Sequence, residues 1–210
     1  MRFPQLSPNY LRVPLYRRRL PHDYEVDQPV FLTWRLHDSL PSHRTFPPAV
    51  RNSGQAFAAM DRLLDEVCGG PFYLRQPAVA DRIVEAIQYN ADVLKHYVLH
   101  AFVGMPNPVP LLATPAMPLP KLTKSLQGIT SKRANAMLSM TGNSFWQEES
   151  YDHLVRHERE FEKIRNYIEE NPVRAGLARE AREYRWSSAG WPTGASAADQ
   201  GVRPTDVRRL

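Results

Sequence analysis

In 210 residues the chain has one cysteine, Cys68. It can form no intramolecular disulfide and offers zinc no thiolate cluster, and this cysteine reads as a small buried apolar residue of a protein in a reducing compartment. Also missing is any uninterrupted apolar run near the roughly 20 residues needed to cross a bilayer. The start, MRFPQLSPNY, lacks the apolar region of a signal peptide. The expectation is a soluble cytoplasmic protein with no membrane partner. There is no internal repeat, which excludes solenoid and propeller architectures. Acidic residues are the scarcer charge: 22 Asp and Glu face 27 Lys and Arg, a formal charge of +5. That balance favours a polyanionic partner, with nucleic acid the first candidate. Of what is present, 42% hydrophobic and 23% charged residues suffice for one good-sized core and one main domain. Proline is abundant, at 19 residues, mostly at segment edges.

Residues 1–29 read as a proline-punctuated basic arm whose Arg17, Arg18 and Arg19 suit phosphate contacts or a solvated charge run. Val30–His37, VFLTWRLH, is rich in β-branched and aromatic residues and predicts a strand. The spacing of Phe57, Met60, Leu63, Leu64 and Val67 predicts a helix over about 48–68, stopped by Gly69-Gly70-Pro71, and a second helix runs over about 78–89. YVLHAFV (97–103) and Val109–Thr114 predict a hairpin turning at Gly104-Met105-Pro106-Asn107. Leu119–Met140 predicts the longest helix, with Leu122, Leu126, Ile129 and Ala136 to Met137 inward. Its other side carries Lys121, Lys124, Lys132 and Arg133 among hydroxyl and amide residues, a surface suited either to nucleic-acid backbones or simply to water. Ser144–Gln147 is expected to extend into the sheet, and Trp186 to anchor the end of the fold.

Phe145–Arg156, FWQEESYDHLVR, is the stretch that organises the rest. With Ser150 as N-cap, Tyr151 falls in the first turn of an amphipathic helix whose Leu154, Phe161, Ile164 and Ile168 share one side. A phenol near unpaired helix N–H groups can attack a phosphate, or can be merely an interface residue. Pro172 is expected to stop this helix. The order of elements describes an α+β domain, a ferredoxin-like antiparallel sheet with helices packed on one face. It is expected to span 30–189, followed by a mobile tail over 190–210.

Four ordered segments carry a resemblance: VFLTWRLHDSLP, MPNPVPLL, FWQEESYDHLVR, and YIEENPVRAGL followed by YRWSSA. Over residues 17–189 the chain resembles the REP-associated tyrosine transposases, relatives of the single-tyrosine HUH transposases of bacterial insertion sequences. The resemblance implies a domain that binds single-stranded or hairpin DNA, as a monomer or homodimer, and a helix-borne tyrosine that cuts one strand through a covalent phosphotyrosine. On this resemblance Tyr151 is the nucleophile; the basic residues expected to contact DNA are Arg17, Arg18, Arg19, Lys121, Lys124, Lys132, Arg133 and Arg156. The family uses Mg²⁺ or Mn²⁺, because a phenol with a pKa near 10 needs a cation to polarise the phosphate.

Here the chain departs from the pattern. The two histidine positions hold Pro108 and Pro110, and proline has no side-chain donor. The expectation is therefore no metal cofactor and impaired cleavage, with DNA binding retained. Substitute ligands are His153, Glu148 and Glu149, the pair His153 and His157 at helical spacing, and His96 with His100 on one strand face. An active enzyme with a rebuilt metal site, and a non-catalytic RNA- or protein-interaction module, are the other readings.

Overall fold

The computed structural model describes residues 24–39, 70–148 and 150–191. The helix expected over 48–68, Cys68, Arg17–Arg19, Glu149 and the tail beyond Trp191 lie outside the described residues. The element order is β1 (Val30–Trp34), α1 (Pro77–Asp92), β2 (Tyr97–Phe102), β3 (Val109–Pro115), α2 (Leu119–Met137), β4 (Tyr151–Leu154) and α3 (Glu158–Arg174), with short 3-10 turns at Tyr73–Arg75 and Ala181–Glu183. The strands form one antiparallel sheet in the order β2-β3-β1-β4.

Strand β1 shows only partial alternation because it has no wet face: all five of its residues are buried. Val30, Leu32 and Trp34 pack with Val109 and Leu111 under α1 and α2, which contribute Ile83, Ile87, Leu122 and Leu126. Phe31 and Leu112 point the other way and meet Phe161, Ile164 and Ile168 of α3. The class is the α+β antiparallel sheet expected, but the helices are not confined to one face as expected: α1 and α2 cover one face and α3 the opposite one, because β1 is apolar on both sides. No helix among the described residues is long and apolar enough to cross a membrane.

Two expectations about the last helix are overturned. Tyr151 is not in a helix: Tyr151–Leu154 is an edge strand paired to β1, and α3 begins seven residues later at Glu158. The cap is His157, whose Nδ1 accepts the Glu160 backbone N–H at 3.1 Å. Leu154 shares the hydrophobic spacing of α3 by coincidence of register. Nor does Pro172 stop the helix, which continues to Arg174. A proline in the last turn forfeits only the bond to the carbonyl four residues back, while its ring is buried and its own carbonyl accepts the Leu177 N–H at 2.8 Å. Gly176, at φ +67°, then turns the chain away.

The other segments fall close to expectation. The hairpin joins β2 to β3, and Asn107 closes it by accepting the Leu36 N–H at its Oδ1, 3.2 Å away. Residues 145–147 lengthen the sheet beside β1, through His37 N–H to Phe145 O (2.9 Å) and Gln147 N–H to Arg35 O (2.8 Å). The segment around Trp186 docks along the outer edge of β2: Gly104 N–H donates to Trp186 O (2.7 Å) and Ser188 N–H to Phe102 O (3.0 Å). Asp81 of α1 fastens it, accepting from Trp186 Nε1 at 2.8 Å and pairing with Arg185 at 3.0 Å.

Candidate active site and nucleic-acid surface

The register places Pro110, Thr33 and Tyr151 in one row across β3, β1 and β4, with Leu112, Phe31 and His153 in the next. Two strand spacings, about 10 Å, separate Pro110 from Tyr151. Strand β3 is interior to the sheet and not an edge strand, so the simplest accommodation of its prolines does not apply. Their accommodation is directional. The Pro110 carbonyl accepts the Val103 N–H at 3.2 Å, so the missing N–H of Pro110 also faces the β2 side, since both groups of a strand residue point the same way. Pro108 lies just before β3 begins at Val109. The ladder to β1 loses nothing, and β2 has already ended at Phe102.

Tyr151 packs its ring edge-on against Phe31, 6.2 Å between centroids. Burial, and then the carboxylates of Asp152 and Glu160, push its phenol well above the ordinary tyrosine range. That is the opposite of an activated nucleophile. Tyr167, the one tyrosine of α3, also packs edge-on against Phe31, at 6.4 Å. The Arg174 guanidinium sits 5.2 Å over the Tyr167 ring. Sequence reasoning passed over Tyr167; its signal was the spacing Ile164, Tyr167, Ile168, which puts it beside the buried stripe of α3.

The metal implied by the resemblance does not fit the residues present. Pro108 and Pro110 are buried and carry no donor atom, and no group of three His, Cys, Asp or Glu among the described residues is arranged to hold an ion. The substitute ligands are dispersed or engaged. His153 is on β4 and His157 caps α3, so they share no helix face. His153 Nε2 lies 2.9 Å from Glu160 Oε1. Burial alone would raise the Glu160 carboxyl, but the Arg156 N–H and the His153 ring outweigh it and hold the pKa below its usual value. His96 sits just before β2 and meets Asn90 of α1 at 3.0 Å, whereas His100, beside the bulge in β2, meets Thr114 at 2.7 Å and the Phe161 ring. Burial, and then Arg165, push His100 down to about 4, so it stays neutral. Glu148 is exposed and lies in the lining of a groove beside α2.

The basic residues of α2 do converge. Lys121, Lys124 and Lys132 are exposed, and with Gly128 they fall at spacings of three, four and four, one stripe along the helix. Arg133 is exposed beside them, and none of the four forms an ion pair among the described residues. Arg156 stands apart, in the turn between β4 and α3, where its backbone N–H donates to Glu160. Next to the lysine stripe a groove of about 750 Å³ separates α2 from residues 143–148, Ser150 and Asp152. Its inner wall includes Leu119, Phe145 and Trp146, and its polar residues include Gln127, Ser131 and Gln147.

No protein-family model matches the chain, and no curated protein matches it significantly. Among solved structures it is similar to a REP-associated tyrosine transposase bound to a REP hairpin, at 15% identity over 93% of each chain with a TM-score of 0.50. A putative transposase from Deinococcus radiodurans R1 aligns at 18% identity over 70% of this chain and 92% of that one, with a TM-score of 0.35. The first likeness shows a shared fold; the second is too slight to argue from.

Proposed function

We propose that this protein is a transposase-like binder of hairpin-forming single-stranded DNA, in which strand cleavage is impaired because Pro108 and Pro110 stand where the family's metal-ligating histidines belong. The observation that carries the reading is the lysine stripe, exposed and without ion-pair partners among the described residues, on a chain whose fold is similar to that of a transposase bound to a REP hairpin. Unpaired lysines at helical spacing meet successive phosphates at little cost to the fold.

The nucleophile's position passes from Tyr151 to Tyr167. The family's tyrosine is helix-borne, Tyr151 belongs to a strand, and Tyr167 is the tyrosine α3 carries. With proline at both strand positions where the family's histidines would hold a cation, a phenol stays protonated at neutral pH and attacks a phosphodiester slowly.

The test is a hairpin oligonucleotide with a single-stranded flank, incubated with protein and Mg²⁺ or Mn²⁺ and resolved on a denaturing gel. The unaltered chain binds the hairpin and yields no covalent adduct. P108H/P110H, checked by circular dichroism for native folding, yields an adduct that Tyr167→Phe abolishes and Tyr151→Phe leaves. Failure to bind the hairpin in preference to an unrelated duplex overturns the binding assignment. Robust cleavage by the unaltered chain overturns the impairment, and an adduct that depends on Tyr151 overturns the reassignment.

A further inference from the structure

Tyr151 and Tyr167 both pack edge-on against Phe31, yet the charges around them are opposite in sign. Beside Tyr151 stand the carboxylates of Asp152 and Glu160, and such neighbours repel a phosphodiester. Over the Tyr167 ring, 5.2 Å from its centroid, lies the guanidinium of Arg174, an exposed residue in the last turn of α3. Seven residues are two helical turns, which brings the two side chains onto one side of the helix.

A cation in the last turn suits the helix dipole alone, and for that purpose it can project anywhere into water. Lying over a phenol is more specific. The negative face of the ring attracts the guanidinium and restrains a long side chain that would otherwise lose rotamer freedom on meeting a ligand. A guanidinium carries five N–H donors in a planar fork, so contact with a ring does not exhaust it, and the fork matches two oxygens of one phosphate. The phenol hydroxyl stands on the rim of that same ring.

We propose that Arg174 is a phosphate-holding residue, whose guanidinium seats one phosphodiester of single-stranded DNA beside the Tyr167 hydroxyl. Resting on the proposed hairpin-binding function, this assignment adds to it the residue that fixes the strand at the nucleophile's position. The two faces of the sheet decide which part of the DNA is held. The lysine stripe belongs to α2, packed on one face, and Tyr167 to α3, packed on the other. A stem lying along α2 leaves Arg174 untouched. The phosphate at Tyr167 therefore belongs to the single-stranded flank, led round the sheet.

The experiment measures fluorescence anisotropy of the full chain with a blunt hairpin, the same hairpin carrying an all-thymine flank, and a set of flanks in which one linkage at a time is a neutral methylphosphonate. The flank tightens binding by the unaltered chain. Arg174→Gln weakens the flanked hairpin about tenfold, the scale of one charge-assisted hydrogen bond, and leaves the blunt hairpin unchanged. Arg174→Lys, which keeps the charge without the fork, loses less. Thermal melting checks the fold of both variants, and Arg174→Lys, with its cation still at the helix end, carries the test if Arg174→Gln melts early. At one linkage the methylphosphonate costs the unaltered chain about as much as Arg174→Gln does, and costs the variant nothing further. An arginine that merely supports the fold would not produce that coupling. Equal losses on the blunt hairpin, additive losses at every linkage, or a flank that adds no affinity to the unaltered chain overturns the assignment and leaves hairpin binding standing. Failure of the unaltered chain to bind any hairpin overturns the function, and the role of Arg174 with it.

Discussion

Replacing Lys121, Lys124 and Lys132 together by glutamine removes three positive charges from one stripe of α2 and nothing from the core, since all three are exposed and without ion-pair partners among the described residues. Stability should move by no more than about 0.5 kcal/mol, the scale of surface substitutions. DNA binding should move far more. Each phosphate neutralised on a duplex stem contributes about 0.9 to the slope of log K against log salt. Three contacts steepen that slope by about 2.7, so a fourfold rise in salt, from 50 to 200 mM, costs the unaltered chain about forty-fold more affinity than the triple variant. If the contacts fall on single strand the coefficient is nearer 0.7 and the factor about twenty. The measurement is a salt titration of hairpin affinity for both proteins, with urea unfolding as the control for folding. Parallel slopes would show that the stripe does not touch phosphate, whatever the absolute affinities.

Three further expectations concern the fold. Phe31→Ala removes a fully buried ring that both Tyr151 and Tyr167 pack against and should cost about 3–5 kcal/mol in urea unfolding; a loss under 1 kcal/mol would mean that the α3 face is not packed as described. His100 is held neutral with its pKa at about 4, below the unfolded value near 6.5, so the unfolded chain binds the extra proton between these limits. That contribution to stability is complete above pH 6.5 and lost as pH falls toward 4, a change on the order of 3 kcal/mol. His100→Gln should flatten the dependence of unfolding free energy on pH in this window, and an unchanged profile would refute the assignment. Asp81→Ala leaves Trp186 Nε1 without its acceptor and should cost about 1–3 kcal/mol, with Asp81→Asn retaining part of it; equal loss in both variants would point to charge and not to the indole bond.

Much of the sheet was legible because its strands announce themselves. YVLHAFV and the β-branched run of β1 sit between turn residues, and the hairpin at Asn107 falls where its proline-rich turn predicts. The last quarter was misread for a physical reason. Four residues of YDHL carry too little pattern to distinguish an edge strand from a helical turn, and the apolar spacing of α3 happens to extend back through Leu154. The deciding signal was His157 followed three residues later by Glu160, a start for the helix that competes with Ser150. Pro172 was misjudged because a proline's cost depends on whether the bond it forfeits was needed, and in a last turn it hardly is. The absence of histidine at 108 and 110 was plain in the sequence. The position of Tyr167 was not, because only the register around Phe31 sets it against the same ring as Tyr151.

The docking of Ser188 onto Phe102, across 86 positions of chain, has a bearing on synthesis. Until the ribosome has extruded Trp186 and Ser188, the outer margin of β2 presents bare amides and carbonyls, with Val98 already facing solvent. Nascent or prematurely terminated chains would share that sticky margin and pair with one another. The short stretch after α3 thus acts as a late seal, and expression trials that trim the protein from its carboxyl end should keep everything through Ser188.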